Sequence, residues 1–405
     1  MAKPEIRLKG FEGEWKSKPL LDVVTLYNGL TYTPNDIREK GTLVLRSSNV
    51  QDGEISLLDN IYVKSEVASS PNVKIGDIIV VVRNGSRTLI GKHAQIKESM
   101  PNTVIGAFMA GLHTDEPNFM NALLSTSRFD DEVNKHLGAT INQITNGTFR
   151  SMYFQFPSKE EQQALGAYFL HLDSMLQSTA KKIESLKQMK AACLVSMFPQ
   201  AGETTPRVRF KGFEGEWECE PLCNFSKKVI KKNQNLEYKI TLTNSAEYGI
   251  INQLVFFDHD VSNGDNIRGY YVVDNDDFVY NPRISATAPV GPINRNLLGY
   301  AGVMSPLYYV FRVHGIDKDY MSVFFKTTLW HKFMKDNGNS GARFDRLSIT
   351  DNVFVQMPIL YPKDIKEQQR IASYFRNLDK QISLQEKRLE KLKQIKAACL
   401  DKMFV

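Results

Sequence analysis

Each half of the chain carries two polar segments with the side chains that proteins use to recognise the edges of nucleic-acid bases. The first segment in each half follows an apolar run, and the second follows a stretch with helical periodicity. Arginine forms paired hydrogen bonds with guanine, and asparagine or glutamine does so with adenine. We therefore predict that DNA is contacted by Arg83, Asn84, Arg87, Asn142, Gln143, Asn146, Arg150, Arg283, Ser285, Arg343, Asp345 and Arg346.

Taken singly, each of these residues could equally be an ordinary polar residue of a surface loop. Their recurrence at the same two places in both halves favours a shared role. The second segment opens with the same dipeptide in each half, at Gly138-Ala139 and at Gly341-Ala342. The pattern therefore predicts two related sites with different side chains.

The sequence offers little that would support catalysis or metal binding. It contains neither a phosphate-binding G-x-x-x-x-G-K-[ST] loop nor a dinucleotide-binding glycine fingerprint after a strand. Asn281-Pro282-Arg283 matches only the start of the Asn-Pro-Pro-aromatic tetrad of amino-methyltransferases. The seven histidines and four cysteines lack metal-ligand spacing. We expect no catalytic residues, no metal site, and free thiols in a reducing compartment.

Two blocks of sequence occur twice in the chain. Residues 7–20 recur at 209–222 with 10 of 14 positions identical, and residues 160–198 recur at 366–404 with 19 of 39 identical. The segments between these blocks hardly match. The chain is therefore one repeated framework that holds two different inserts, which suits a protein with two recognition domains.

The longer repeated block predicts a long helix in each half. Ser158 with Glu161, and Asp364 with Glu367, form capping boxes at the two starts. Apolar residues then recur at alternating spacings of four and three, and the polar interruptions fall at the same two places in both copies. This predicts an antiparallel coiled coil about a pseudo-two-fold axis, with helices roughly 55–60 Å long. The alternative is two amphipathic helices packed on separate domains, and the lysines around them are most simply a solvated face.

The inserts show a mixture of strand and helix patterns in the same order. Strands are predicted at 42–48, 75–82, 103–112 and 153–156, and at 239–243, 270–273, 278–281, 303–313 and 355–360; helices are predicted at 118–137 and 320–336. The predicted class is α+β, with two mixed α/β domains separated by the helix pair. The predicted boundaries are 1–157 and 209–365 for the domains, 158–200 and 366–405 for the helices, and 201–208 for a linker.

Composition places the chain among globular proteins. It has 405 residues, 42% of them hydrophobic, and a net charge of +6 with a pI near 8.9. This balance favours an anionic partner such as nucleic acid. The longest apolar runs are too short to span a bilayer, and the first residues lack an apolar signal region. We therefore expect no membrane partner and a cytoplasmic location.

This layout resembles the specificity (S) subunit of type I restriction-modification systems over essentially the full chain. The resemblance rests on residues that occur at equivalent positions in both halves. These are Glu161-Gln162-Gln163 and Glu367-Gln368-Gln369, Tyr168-Phe169 and Tyr374-Phe375, Asp173 and Asp379, the Lys-Gln-x-Lys-Ala-Ala-Cys-Leu runs at 187–194 and 393–400, Pro157 and Pro362, and Phe-Glu-Gly-Glu-Trp at 11–15 and 213–217.

The resemblance implies that each insert is a target-recognition domain for one half of a split double-stranded DNA site. It implies that the helices form a spacer and dock two methyltransferase (M) subunits, together with restriction (R) subunits. It also implies that this chain is non-catalytic and binds no cofactor, because S-adenosylmethionine, ATP and Mg would belong to the partner subunits. Two alternatives stay open: a coiled-coil adaptor that binds only proteins, and an unrecognised DNA-modifying enzyme.

Overall fold

The computed structural model describes residues 3–137, 142–254, 266–339 and 345–405. The chain divides into two compact units, the first formed by Met1–Lys181 with Gln385–Val405 and the second by Lys182–Leu384. Both divisions fall inside a long helix. Each unit therefore contains the beginning of one long helix and the end of the other. The domain boundaries given above stay a prediction.

The two predicted long helices are confirmed at Lys159–Ser196 and Ile365–Lys402, with 38 residues each. The predicted capping boxes were wrong in part, because the Glu161 and Glu367 side chains accept hydrogen bonds from Arg7 and Arg209 and not from the N-cap backbone. Side-chain caps are nevertheless present at both starts. The Glu161 backbone N–H donates to Ser158 Oγ at 3.3 Å, and the Asp364 carboxylate accepts a backbone N–H at 2.8 Å. These bonds satisfy amide groups that the first helical turn leaves without a partner.

Each unit is built around a four-stranded antiparallel sheet of the same strand order. In the first unit the order is Thr25–Asn28, Met109–His113, Ile78–Val81 and His93–Gln95; in the second it is Ser226–Lys228, Tyr309–Val313, Phe278–Tyr280 and Ile293–Arg295. The central strands Ile78–Val81 and Phe278–Tyr280 are apolar and buried throughout, because the sheet is covered on both faces. The two inserts therefore share a topology although their sequences differ.

Shorter strands complete each unit. In the first unit they are Lys16–Pro19, Ile37–Arg38, Thr42–Leu45, Val50–Gln51, Glu54–Ile55, Ile61–Val63, Thr103–Ile105 and Tyr153–Phe156; in the second they are Glu218–Pro221, Leu242–Ser245, Gly249–Asn252, Tyr271–Val273, Gly302–Met304 and Pro358–Tyr361. The first and last strands of each insert pair antiparallel, Lys16–Pro19 with Tyr153–Phe156 and Glu218–Pro221 with Pro358–Tyr361. This pairing closes each insert next to the start of its long helix.

The single strands predicted at 103–112 and 303–313 were wrong. Each is two strands separated by a corner, because its two parts pair in different sheets. Thr103–Ile105 pairs in parallel with Thr42–Leu45, whereas Met109–His113 joins the four-stranded sheet. At the corner, the Met109 N–H donates to the carbonyl of Gly106 at 2.9 Å. The second unit repeats this corner between Ser305 and Tyr308.

The single helices predicted at 118–137 and 320–336 were also wrong. The first is Pro117–Leu124 followed by Ser127–His136, and the second is Lys318–Phe324 followed by His331–Asn337. At each break a threonine hydroxyl bonds the preceding turn, Thr126 to the Leu123 carbonyl at 2.6 Å and Thr327 to the Phe324 carbonyl at 2.7 Å. Such side-chain bonds to the backbone compete with continued helix. Short helices at Asn146–Ser151 and Asp351–Phe354 precede the closing strands.

The repeated tryptophan of each half packs against a phenylalanine from the end of a long helix. In the first unit Phe404 contacts Trp15, Phe119 and Phe169, with ring centroids 5.5–6.1 Å apart. In the second unit Phe198 contacts Trp217, Tyr320 and Phe375, with centroids 5.6–6.4 Å apart. The end of the second long helix therefore completes the core of the first unit, and the end of the first helix completes the second.

A buried ion pair fastens the start of each repeat to its long helix. Arg7 forms two bonds with Glu161, Nε to Oε1 at 2.8 Å and Nη2 to Oε2 at 2.7 Å. Arg209 forms the same two bonds with Glu367, at 2.7 and 2.8 Å. Both glutamate side chains are only 2% exposed. The paired geometry uses the planar guanidinium group, which lysine lacks.

Within each unit, the two helical segments run antiparallel. In the first, the Tyr168 hydroxyl lies 3.3 Å from Cys399 Sγ, and Asp173 pairs with Lys396 at 2.5 Å. In the second, Tyr374 lies 3.4 Å from Cys193, and Asp379 pairs with Lys190. The residues that carry the family resemblance therefore contact one another. Lys190 and Lys396, which interrupt the apolar spacing at equivalent positions of the two helices, each have an aspartate partner.

Candidate nucleic-acid interface

The structure brings the two polar segments of the first half together. Arg83, which follows the strand Ile78–Val81, forms an isolated antiparallel bridge with Gln143. The Ile144 N–H donates to the Val82 carbonyl at 2.9 Å, and the Asn142 amide donates to the Gly85 carbonyl at 3.3 Å. Segments far apart in sequence are thus held side by side at one end of the central sheet.

The second half repeats this arrangement with different side chains. Arg283 forms an isolated antiparallel bridge with Arg346. The Leu347 N–H donates to the Pro282 carbonyl at 2.9 Å, and the Ile284 N–H donates to the Asp345 carbonyl at 3.0 Å. The bridge therefore carries an arginine and a glutamine in the first unit, and two arginines in the second.

Arg83 is exposed and lies over an aromatic ring. Its guanidinium carbon is 5.0 Å from the centroid of Phe108, and Phe108 itself is 53% exposed. Phe108 occupies the corner between the two sheets. Stacking on the ring restricts the arginine while leaving the edge of the guanidinium group available to a ligand.

The neighbouring polar residues of the first unit are partly engaged by the protein. The Asn84 amide donates to Ser47 Oγ at 3.1 Å, and its carbonyl accepts the Ser86 N–H at 2.9 Å. Arg87, in the turn Arg87–Leu89, donates to the Leu137 carbonyl at 3.3 Å. These bonds order the loop. Because the Asn84 side chain already donates and accepts hydrogen bonds within the protein, it has fewer groups free to bind a base than Arg83 has.

The last two predicted residues of the first unit lie on the short helix Asn146–Ser151. Asn146 is its first residue, and Arg150 lies in its last turn. Both are exposed. Thr145 caps the helix by accepting the Thr148 N–H at 3.2 Å. The helix therefore presents a polar side chain and a cation beside the bridge.

In the second unit, a carboxylate lies between the two bridge arginines. Asp345 Oδ2 is 3.7 Å from Arg283 Nε and 3.9 Å from Arg346 Nε. The three side chains are 31–66% exposed, so solvent screens these contacts and each is worth little to stability. Ser285 Oγ lies 3.2 Å from Thr287 Oγ1. Arg343 lies outside the described residues.

A groove lies at the sheet corner of each unit. The groove of the first unit, with a volume of about 510 Å³, is lined by residues that include Arg46, Ser47 and Phe108. The groove of the second unit, with a volume of about 500 Å³, is lined by residues that include Arg283 and Arg346. The first groove offers one cation, Arg46, and the second offers two, and both place hydrogen-bonding groups beside apolar side chains. Cations and hydrogen-bonding groups are what proteins use to contact the nucleic-acid backbone.

Two features of these sites were missed from the sequence. Phe108 falls inside the strand predicted at 103–112, so the prediction does not include its exposure at the corner. The predicted site also omits the run Lys-Lys-Val-Ile-Lys-Lys at 227–232, although four lysines in six residues are visible in the sequence. One of them, Lys228, lines a smaller groove that also includes Arg346. A search for local charge clusters would have found it.

Metal binding finds no support in the described residues. Within residues 3–137, 142–254, 266–339 and 345–405, no group of three or more histidine, cysteine, aspartate or glutamate side chains is arranged to hold a metal ion. The four cysteines are free thiols. None of the helices in the described part of the chain is long and apolar enough to cross a membrane.

Comparison with curated proteins finds two specificity subunits. The chain is 24% identical over 286 residues to the type I restriction enzyme StySPI specificity subunit of Salmonella potsdam, covering 65% of this chain and 60% of that protein. It is 23% identical over 235 residues to the type I restriction enzyme EcoKI specificity subunit of Escherichia coli strain K12, covering 56% and 50%. The matches thus span between half and three fifths of these relatives.

Comparison with solved structures establishes the fold. A type I restriction-modification S subunit from M. genitalium superposes with a TM-score of 0.60 at 14% identity, over 100% of this chain and 99% of the other. A chain from a structure concerned with complex assembly and conformational transition of the type I R-M system gives 0.52 at 15% identity, over 96% and 97%. The mixed helix and strand architecture is therefore that of these proteins.

The family model described as the type I restriction modification DNA specificity domain matches residues 12–188 and 225–394. These two segments make up most of the chain, and each includes both residues of one bridge. The chain therefore belongs to the family of type I restriction modification DNA specificity domains.

Proposed function

We propose that this chain is the non-catalytic DNA-specificity subunit of a type I restriction-modification complex. The observation that carries the proposal is the pair of equivalent bridges, Arg83 with Gln143 and Arg283 with Arg346, each on one end of the same kind of sheet. Two domains that recognise different DNA sequences need different side chains at equivalent positions, and the two bridges provide them. The curated relatives are named specificity subunits, which supports the same role.

The two sites differ, so the target is asymmetric and in two parts. A glutamine at the first bridge suits adenine, and an arginine at the equivalent place suits guanine, because each can form paired hydrogen bonds with that base. The exposed cations Arg87, Arg150 and Arg283 supply phosphate or base contacts. Each paired contact discriminates by roughly 1–3 kcal/mol against the wrong base.

The long helices serve as the spacer between the two target-recognition domains, and they dock the partner subunits. We propose that they form an antiparallel coiled coil about a pseudo-two-fold axis. The matched Asp–Lys and Tyr–Cys contacts within each unit support this arrangement. Met189 and Ile395 occupy equivalent positions and are 41% and 37% exposed, which supports docking of two methyltransferase subunits. Restriction subunits join this complex, and S-adenosylmethionine, ATP and Mg bind to the partners.

The experiment is to read the methylated motif of cells that carry the system with single-molecule sequencing. Arg83→Lys removes the forked donor but keeps the charge, so it should relax one or more positions in one half-site only. Arg346→Lys should relax the other half-site only. Arg38→Lys, at an exposed position of a strand in the first unit, is the matched control and should leave the motif unchanged.

Four outcomes contradict the proposal. One is relaxation of both half-sites by a single substitution, and another is a symmetric motif. The third is the absence of any sequence preference in a gel shift with the methyltransferase present, which would favour an adaptor that binds only proteins. Transfer of labelled methyl groups by the purified chain alone would instead show an enzyme.

A further inference from the structure

The second insert carries a cluster of cations beside its bridge that the sequence prediction did not include. The lysine tract consists of residues 227–232, with lysines at positions 227, 228, 231 and 232, and all four are exposed. It begins on the edge strand Ser226–Lys228 of the central sheet. Four cations in six residues on one edge form a concentrated positive surface.

Aromatic rings order three of these lysines. The Nζ atoms of Lys228, Lys231 and Lys232 lie 5.3, 5.2 and 5.9 Å from the ring centroids of Tyr309, Tyr238 and Tyr271. Such contacts restrict a long side chain while leaving its ammonium group hydrated. The tract is thus a set of positioned charges, and the ordering lowers the entropic cost of contacting a ligand.

The lysine tract adjoins the second bridge. Lys228 and Tyr271 line a groove of about 240 Å³ together with Arg346. Arg346 also lines the larger groove that contains Arg283. The cations therefore continue from the bridge along one surface of the second unit. Lys228 also pairs with Asp351, so its charge is partly neutralised within the protein.

The first insert has no lysines at the equivalent positions. Strand pairing fixes the correspondence, because Thr25 lies opposite His113 as Lys227 lies opposite Arg312. Counting along the chain from this pair, the residues equivalent to Lys228, Lys231 and Lys232 are Leu26, Gly29 and Leu30. The two inserts share a topology but differ in charge along this edge.

We propose that the lysine tract at residues 227–232 contacts the DNA phosphates beside the half-site that the second insert reads, and that the first insert lacks this anchor. The inference rests on the proposed function, since it assigns a further contact to the same partner. Phosphate contacts position a protein on the duplex but carry no sequence information directly. The tract therefore contributes affinity and salt dependence, and it leaves the recognised motif unchanged.

The test is a triple substitution, K228Q with K231Q and K232Q, in the complex assembled with its methyltransferase subunits. Binding is measured by fluorescence anisotropy at 50–200 mM salt on a duplex that carries the methylated motif of the host. Each lost phosphate contact should reduce the slope of log K against log salt by about 0.9, so three should reduce it by about 2.7. The fall in affinity over this salt range should then be smaller by on the order of 40-fold.

The matched control is the triple lysine-to-arginine variant, which keeps all three charges and should keep the salt dependence. Thermal unfolding and size-exclusion chromatography check that both variants fold and assemble. The methylated motif should be the same for wild type and both variants. A base-reading role would change the motif, so this measurement separates the two kinds of contact.

Three results would overturn the inference while leaving the proposed function intact. They are an unchanged salt slope in the glutamine variant, a changed half-site in its motif, and loss of methyltransferase assembly, which would make the tract a protein contact. A wild-type complex that binds all duplexes equally would refute the proposed function itself.

Discussion

Replacing Arg7 with alanine should destabilise the first unit far more than replacing its partner. Arg7→Ala leaves the Glu161 carboxylate, only 2% exposed, without its cation. Breaking a buried pair in this way costs about 3–5 kcal/mol. Glu161→Gln leaves Arg7, which is 17% exposed and still donates to the Gly13 and Glu12 carbonyls at 2.7 and 3.0 Å. That change should cost about 1–2 kcal/mol.

The double variant decides whether the asymmetry comes from the unpaired carboxylate. Combining Arg7→Ala with Glu161→Gln removes the buried charge, so it should cost no more than Arg7→Ala alone, and less than the sum of the single changes. Hydrogen exchange followed by mass spectrometry measures the opening free energy of each unit separately, with the largest effect in residues 7–20. Arg209 and Glu367 give an independent repeat in the second unit.

The control is Glu54→Gln, which breaks the exposed pair with Lys97 in the same unit and should cost less than about 1 kcal/mol. The reasoning fails if the glutamine variant is as unstable as Arg7→Ala. It also fails if both single changes stay within the range of the control, because the pair would then have no role beyond that of a surface contact.

Two further predictions concern the helix contacts and acid stability. Lys396→Asp should destabilise the first unit by roughly 1–3 kcal/mol, because it places two carboxylates together. Adding Asp173→Lys should restore most of the lost stability, as measured by thermal unfolding. Absence of this rescue would contradict a specific pair. Burial lowers the pKa of His93 below its usual 6.5. Between the two pKa values the unfolded chain therefore binds more protons than the folded chain. The free energy of unfolding should fall as pH drops below about 6.5, and it should level off below the folded-state pKa. His93→Gln should flatten this dependence, and an unchanged pH profile would show that other groups cause it.

Much of the framework could be predicted because its sequence occurs twice in the chain, at 7–20 and 209–222 and at 160–198 and 366–404. Matching blocks located both long helices. The bridge residues lie between these blocks, and Arg83 and Arg283 were grouped by the common order of predicted elements and by their place after an apolar run. The predicted role of these residues in base recognition stays a prediction. The sequence could show which positions of the two inserts are equivalent, but it could not show what those positions bind.

The details that escaped prediction depend on contacts distant in sequence. Met109 and Tyr309 begin new strands because their partners lie in another sheet, and the change of partner does not show in the local sequence. Thr126 breaks a helix through a hydroxyl bond that helix periodicity does not register. The Arg7–Glu161 pair joins residues 154 positions apart, so no local pattern could indicate it.

The place of Phe404 in the core of the first unit sets the order in which the chain folds during synthesis. The ribosome delivers residues 182–384 as one continuous stretch, so the second unit has all its parts before the first. Residues 1–181 must wait for roughly 220 more residues, about 10–45 s at synthesis rates of 5–20 residues per second. During that interval Trp15, Phe119 and Phe169 lack their common neighbour and expose apolar surface to solvent. The half of the protein that is made first is therefore finished last.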